Sequence, residues 1–377
     1  MKKYFFITGM SRSGTTLLDK ILCNHPQLSV LSQPFPFLFI EAKKKFLDSI
    51  NYGETPFPLS NYFQEVYRPK DFSEFLETVY FDADELGRIF NDMKEFSGQY
   101  TKRRDINRII SDYKRDKFIE IFKKLLIDMA YNQDRLYFGS KECICEEFVG
   151  FLSRNDFKNI LLIRDPRDII VSSYYGRASE YIGKYRPLLF HLRNWRKSIA
   201  FLIHHKHNPN LAWLKFEDMV QSPQQSLEKV TKFLNIDPFS AEFFSRSILD
   251  QKGNVWLSNS SFKGEKTISN ASVGRYKNKI SRNMLNYIEY ICYPEMRYLG
   301  YKLQNAKILK KYIYEFKEPF RIKRKEHKAD FSTLEENLSQ EKKRLKFLKE
   351  GNLSKEKIEK YFIFQDVFLN LQEAISN

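Results

Sequence analysis

The chain has 377 residues, 42% hydrophobic and 16% aromatic, which excludes a disordered protein and allows one large domain with an appendage. Its net charge of +16 favours polyanions, but no zinc-finger spacing, RNP-type sheet motif or Gly-rich single-strand clamp accompanies it, so specific nucleic-acid binding is not expected. The 4 cysteines form no disulfide framework and no segment approaches the roughly 18 uninterrupted apolar residues of a membrane span, so a reducing, cytoplasmic location is expected.

The start, Met1-Lys2-Lys3-Tyr4-Phe5-Phe6-Ile7, has the charged onset of a signal peptide, but a Gly/Ser/Arg stretch soon breaks its apolar run. Residues 4–8 therefore read as a first strand. Behind it, Gly9-Met10-Ser11-Arg12-Ser13-Gly14-Thr15-Thr16 repeats the spacing of a Walker A loop, G-x-x-x-x-G-K-[ST], with Thr15 where the lysine belongs. Such a loop cradles phosphate on backbone N–H groups at a helix N-terminus, and its lysine reaches the β/γ-phosphates. With that lysine missing and Arg12 as the available cation, the loop predicts a nucleotide whose transferred group is not a γ-phosphate. Leu17, Leu18, Ile21 and Leu22 recur at helical spacing over 15–23, and Asn24-His25-Pro26 stops the helix. Residues 28–31 fit a second strand and 36–46 a helix. From about 37 to 135 the chain reads as a charged helical insertion, most periodic over 104–129.

Ile160-Leu161-Leu162-Ile163 is the continuous apolar run of a strand covered on both faces, and residues 211–214 read as another buried strand. Helices are predicted around 168–174 and 188–205, and over 223–234, where Leu227, Val230 and Phe233 share a face. This alternation predicts an α/β fold, a P-loop-like parallel sheet flanked by helices, within residues 1–304. Past Gln304 the character changes. Residues 307–328 are strongly basic and 334–371 mix Glu and Lys with spaced apolar residues, so 305–377 is expected to be a basic helical extension. It reads either as a solvated appendage or as an arm for peripheral membrane or polyanion contact.

A second motif leaves the strand at Ile163: Arg164-Asp165-Pro166-Arg167-Asp168-Ile169-Ile170-Val171-Ser172. Ser172 follows Arg164 by about two helical turns, so guanidinium and hydroxyl can converge on one phosphate, which the planar fork of Arg suits. Two phosphate sites on one sheet predict a nucleotide phosphorylated at both ends of its ribose.

These segments resemble those of the sulfotransferases that use 3′-phosphoadenosine 5′-phosphosulfate (PAPS). Residues Ser11, Arg12, Ser13, Gly14, Thr15 and Thr16 are similar to the family's 5′-phosphosulfate loop, and Arg164 with Ser172 to its 3′-phosphate element. Phe138-Gly139-Ser140-Lys141 resembles a segment that places a lysine near the sulfonate, and Leu214-Lys215-Phe216-Glu217-Asp218 a "Y-E-D-L" strand end. Ser272-Val273-Gly274-Arg275-Tyr276-Lys277 resembles a late nucleotide-closing loop, with Ser272, Arg275 and Lys277 as its contacts. The resemblance implies sulfonate transfer from PAPS to a hydroxyl, or less readily an amine, on a glycan or small metabolite, with release of 3′,5′-ADP. Arg12 and Lys141 would stabilise the developing charge, and no metal is required. Many members carry a glutamate about twenty residues beyond the loop cation. Gln33 stands there in this chain, and an amide cannot accept a proton, so Glu41 becomes the candidate base, with His25 behind it. His204, His205 and His207, like Cys143 and Cys145, are read as structural rather than metal-binding. Two alternatives stay open: a P-loop small-molecule kinase using Mg-ATP, and a nucleotide-binding protein without turnover.

Overall fold

This computed structural model describes residues 2–52, 59, 67–95, 111–176, 186–257, 267–305, 309, 311–318 and 334–376. Its strands are β1 Lys3–Thr8, β2 Leu28–Ser32, β3 Tyr80–Phe81, β4 Asp116–Lys117, β5 Tyr137–Lys141, β6 Phe157–Ile163 and β7 Leu211–Lys215. The α-helices in chain order are α1 Thr15–Cys23, α2 Pro36–Ser49, α3 Pro69–Phe75, α4 Ala83–Glu95, α5 Phe118–Asp128, α6 Val149–Arg154, α7 Pro166–Tyr174 and α8 Leu188–His204. There follow α9 Phe216–Gln221, α10 Pro223–Leu234, α11 Arg282–Tyr298, α12 Tyr312–Glu315, α13 Leu334–Glu350, α14 Lys355–Phe362 and α15 Gln365–Ser376. No described helix is long and apolar enough to cross a membrane.

The chain divides into two units: residues 1–53, 69–163 and 207–270, and residues 54–68, 164–206 and 271–377. The first holds a five-stranded sheet in the order β2-β5-β1-β6-β7, with every pairing parallel. Pairs such as Ile7 with Lys141, Ser32 with Lys141 and Ile163 with Lys215 align the C-terminal ends of the strands along one edge. Strand order reverses at β1, and open α/β sheets bind ligands at such a switch point, outside the strand ends. The loop after β1 opens there.

Apolar runs make the central strands, as expected of a sheet covered on both faces: Phe5, Phe6, Ile7, Ile160, Leu161 and Leu162 have no exposed surface. Strand β7 is different. Among the described residues it pairs with β6 alone, and Trp213 at its centre is 42% exposed, so the strand read as buried is an edge strand. Within the predicted insertion, an aromatic cluster seals one sheet face: Phe39 stacks on Phe6 at 5.4 Å, and Phe122 stacks on Phe157 at 5.3 Å. The periodic stretch over 104–129 becomes α5 only from Phe118. Residues 116–117 instead pair with β3 in a small antiparallel ladder, and 104–110 lie outside the described residues.

In the second unit α8 is buried from Leu188 to Ile203 although it carries Arg193, Asn194, Arg196 and Lys197. Its arginines meet Glu341 of α13, at 2.8 Å from Arg193 and 2.5 Å from Arg196. Arg344 pairs with Glu295 of α11, and Lys197 donates to the Leu59 carbonyl at 2.9 Å. Buried ion pairs thus tie α13 into this unit. Most of the basic run 307–328 lies outside the described residues, apart from 309 and 311–318.

Candidate functional site

Thr8 ends β1 in the core, and the chain then turns through a loop that glycine permits. A Cβ on Gly9, which sits at φ +151°, would fall 2.4 Å from the Leu162 carbonyl oxygen. Gly14 caps α1 at φ +96°, and a Cβ there would strike the Phe216 ring at 2.2 Å. Phe216 opens α9, so the strand end around 214–218 shapes the loop from below. Arg12 also takes a left-handed conformation, φ +71°. Between them Ser13 is wholly buried, and its hydroxyl has no hydrogen-bond partner among the described residues. Helix α1 has no acidic residue in its first turn and no side-chain cap, so its N-terminal amides and dipole favour an anion. Thr15 begins that turn, buried, with Oγ1 3.5 Å from the Cys143 sulfur. Ser11, Arg12 and Thr16 are half-buried.

Lys141 ends β5 in register with Ile7 and is 1% exposed. Its ammonium donates to Gln33 Oε1 at 3.1 Å and lies 4.0 Å from Asp19 Oδ2. Asp19, buried on α1, also accepts from the Ser32 hydroxyl at 2.7 Å and pairs with Lys20 at 3.3 Å. The sequence reading missed Asp19 and Glu142. Glu142 follows Lys141 and receives the Phe35 N–H at 2.8 Å, pinning the entry to α2. Burial raises its carboxyl, the Phe35 N–H and Lys141 oppose the rise, and the outcome is a group pushed up to about 8.

Gln33 occupies a left-handed turn at φ +48°, its N–H bound to the Lys141 carbonyl at 2.8 Å. The position thus serves the lysine with an amide oxygen. Glu41 lies on α2, 4.0 Å from Lys44, with its side chain 38% exposed. His25 is 1% exposed: Nδ1 accepts from the Gln27 N–H at 3.2 Å and Nε2 meets the Asp237 carbonyl at 2.8 Å. Burial lowers its pKa; Nδ1 serves the helix stop and Nε2 ties it to the chain beyond α10.

In the second unit the structure joins two segments the sequence keeps far apart. Arg164, 6% exposed, donates from Nη2 to the Ser272 carbonyl at 2.6 Å, while the Trp195 indole donates to the Arg164 carbonyl at 2.8 Å. Asp165 caps α7 by accepting from the Arg167 N–H at 2.9 Å. Arg167 is held by Asp165 at 2.6 Å and Glu289 at 2.7 Å, with its guanidinium 4.2 Å from the Tyr276 ring centre. Ser172 is buried two turns along α7, Ser272 and Arg275 are half-buried, and Lys277 is exposed. Asp168, quoted in the motif but given no task, accepts from the N–H groups of Gly274 and Tyr276.

The remaining clusters have other partners. His204 stacks on Phe364 at 3.8 Å and meets Asp366 at 3.1 Å. Cys143 and Cys145 are free thiols, and no three His, Cys, Asp or Glu side chains converge as metal ligands among the described residues.

The profile of the Sulfotransferase family matches residues 5–241 of this chain. No curated protein matches it. Among solved structures it is similar to the sulfotransferase domain from the curacin biosynthetic pathway, at 20% identity over 75% of this chain and 93% of that one, TM-score 0.43. The sulfotransferase domain of the Synechococcus PCC 7002 olefin synthase gives 18% identity, 75% and 90% coverage, and TM-score 0.45. Mouse sulfotransferase SULT7A1 complexed with PAP gives 14%, 79% and 85%, and 0.39.

Proposed function

This chain belongs to the sulfotransferase family, and from that premise we propose that it transfers a sulfonate group from PAPS to a hydroxyl of a glycan or small-metabolite acceptor, releasing 3′,5′-ADP. The observation that carries this reading is the loop between β1 and α1. It keeps the glycine geometry and open helix end of a phosphate cradle, replaces the Walker lysine with buried Thr15, and has the buried ammonium of Lys141 one strand away. The orphaned hydroxyl of Ser13 fits a loop built to receive an anion.

In this scheme Ser11, Arg12, Ser13, Gly14, Thr15 and Thr16 hold the 5′-phosphosulfate, and Arg164, Ser172, Ser272, Arg275 and Lys277 hold the 3′-phosphate. The donor supplies an activated sulfonate: its S–O bond to the 5′-phosphate breaks as the acceptor oxygen forms a new S–O bond, and 3′,5′-ADP leaves. Transfer of this kind depends on positioning and charge stabilisation rather than on a covalent enzyme intermediate. Lys141 and Arg12 neutralise charge on the sulfonate and leaving oxygen, and the buried site of Lys141 strengthens its field. Asp19 and Gln33 hold the lysine in place, at 4.0 Å and 3.1 Å from its ammonium. Glu41 is assigned the acceptor proton because its carboxylate reaches solvent, whereas Glu142 is buried.

The test is transfer of radiolabelled sulfonate from PAPS to a panel of glycan, phenol, alcohol and amine acceptors. Labelled product with stoichiometric 3′,5′-ADP is expected, and Glu41→Gln should lower kcat about 100-fold at unchanged donor affinity. No product from any acceptor class would remove the proposal, and unchanged turnover in the variant would remove Glu41 as base.

A further inference from the structure

Residues 272–278 are a turn leading into a short 3-10 stretch, Arg275–Asn278, with Gly274 at φ +73°. One carboxylate pins its backbone twice: Asp168 Oδ2 accepts from the Gly274 N–H at 2.6 Å, and Oδ1 from the Tyr276 N–H at 3.0 Å. Asp168 is 2% exposed and lies in the first turn of α7, just beyond Arg164 at the strand exit. Arg164 holds the carbonyl of Ser272, and Arg167 covers the ring of Tyr276. Three polar residues from one short stretch therefore fix residues 272, 274 and 276. Hydrogen bonds to an ionised carboxylate are the strong kind, and burial removes the competing water.

We infer that Asp168 is a positioning residue of the donor site: by clamping the amides of Gly274 and Tyr276 it sets the conformation in which Ser272, Arg275 and Lys277 serve the same 3′-phosphate as Arg164. This rests on the donor reading above. Asp168 itself does not touch the donor. Its effect is confined to what the 3′-phosphate adds to affinity.

The full-length protein and Asp168→Asn are titrated with 3′,5′-ADP and with 5′-AMP, and amide exchange is followed over 272–278. Asparagine keeps the size but loses the charge and turns an NH2 toward one of the two N–H donors. The variant should lose about tenfold in affinity for 3′,5′-ADP and keep that for 5′-AMP within about twofold, with faster exchange at Gly274 and Tyr276. A folded variant that retains the full preference for 3′,5′-ADP overturns the inference and leaves the donor reading standing. A wild type that binds both nucleotides equally overturns the donor reading and the inference with it. If the variant does not fold, wild-type exchange decides: slow exchange at Gly274 and Tyr276 supports the clamp, and exchange at unprotected rates overturns it.

Discussion

Glu142 carries a carboxyl that burial pushes up to about 8, whereas in an unfolded chain it titrates near the ordinary glutamate value of 4.5. The folded state therefore keeps its proton over a range in which the unfolded state releases it. Stability falls as pH rises from about 4.5 to about 8, with a slope of roughly 1.4 kcal/mol per pH unit, and levels off above that. Glu142→Gln retains an acceptor for the Phe35 N–H and does not ionise, so its denaturant-unfolding free energy should exceed that of the wild type by a few kcal/mol (about 2 to 5) at pH 8, with little difference at pH 5. Parallel curves over that range would show that Glu142 is ionised in the folded protein. At this scale the sequence was legible where a motif is contiguous: the loop residues 9–16 and the Arg164 segment are local patterns. Asp19, Glu142 and the task of Asp168 were not, because their partners lie 13, 107 and 106 residues away in the chain.

Helix α8 was legible as a helix from its periodicity, but its polar residues gave no sign of being buried. Arg193 and Arg196 are buried because Glu341, some 145 residues later, reaches both. Burial pushes the Glu341 carboxyl up, yet Arg196 and Arg193 pull it down to about 2. The pair contributes stability above pH 4.5 that is lost as pH falls through 2. Glu341→Gln leaves two buried guanidiniums short of a counter-charge and should cost about 3–5 kcal/mol, seen as a lowered calorimetric Tm. A change below about 1 kcal/mol would place α13 outside the cooperative unit. The lysines of α13 conceal this in sequence, since one buried face of Asn337, Glu341 and Arg344 is itself polar. Helix α10 opens on Ser222-Pro223 and closes on Asn235, left-handed at φ +52°.

Across the whole molecule, alternating apolar runs and helical stretches announced a parallel α/β sheet. The order β2-β5-β1-β6-β7 was not legible, because fully buried parallel strands carry no periodicity that selects their neighbours. The edge position of β7 was hidden because its run Leu211-Ala212-Trp213-Leu214 is as apolar as a buried strand. Sheet order nevertheless matters to the proposed function, because it sets the loop after β1 and the end of β5 side by side at the switch point. A loop lacking the Walker lysine, on a chain of net charge +16, suits a donor phosphorylated at both ends of its ribose better than a magnesium nucleotide. Isothermal titration calorimetry of the full-length protein, with 3′,5′-ADP in EDTA and with Mg-ATP, tests that claim most directly. Metal-independent binding of 3′,5′-ADP is expected, with a dissociation constant of about 1–10 μM, and Mg-ATP at least about 100-fold weaker. Tighter binding of Mg-ATP, or no heat with 3′,5′-ADP, would contradict it.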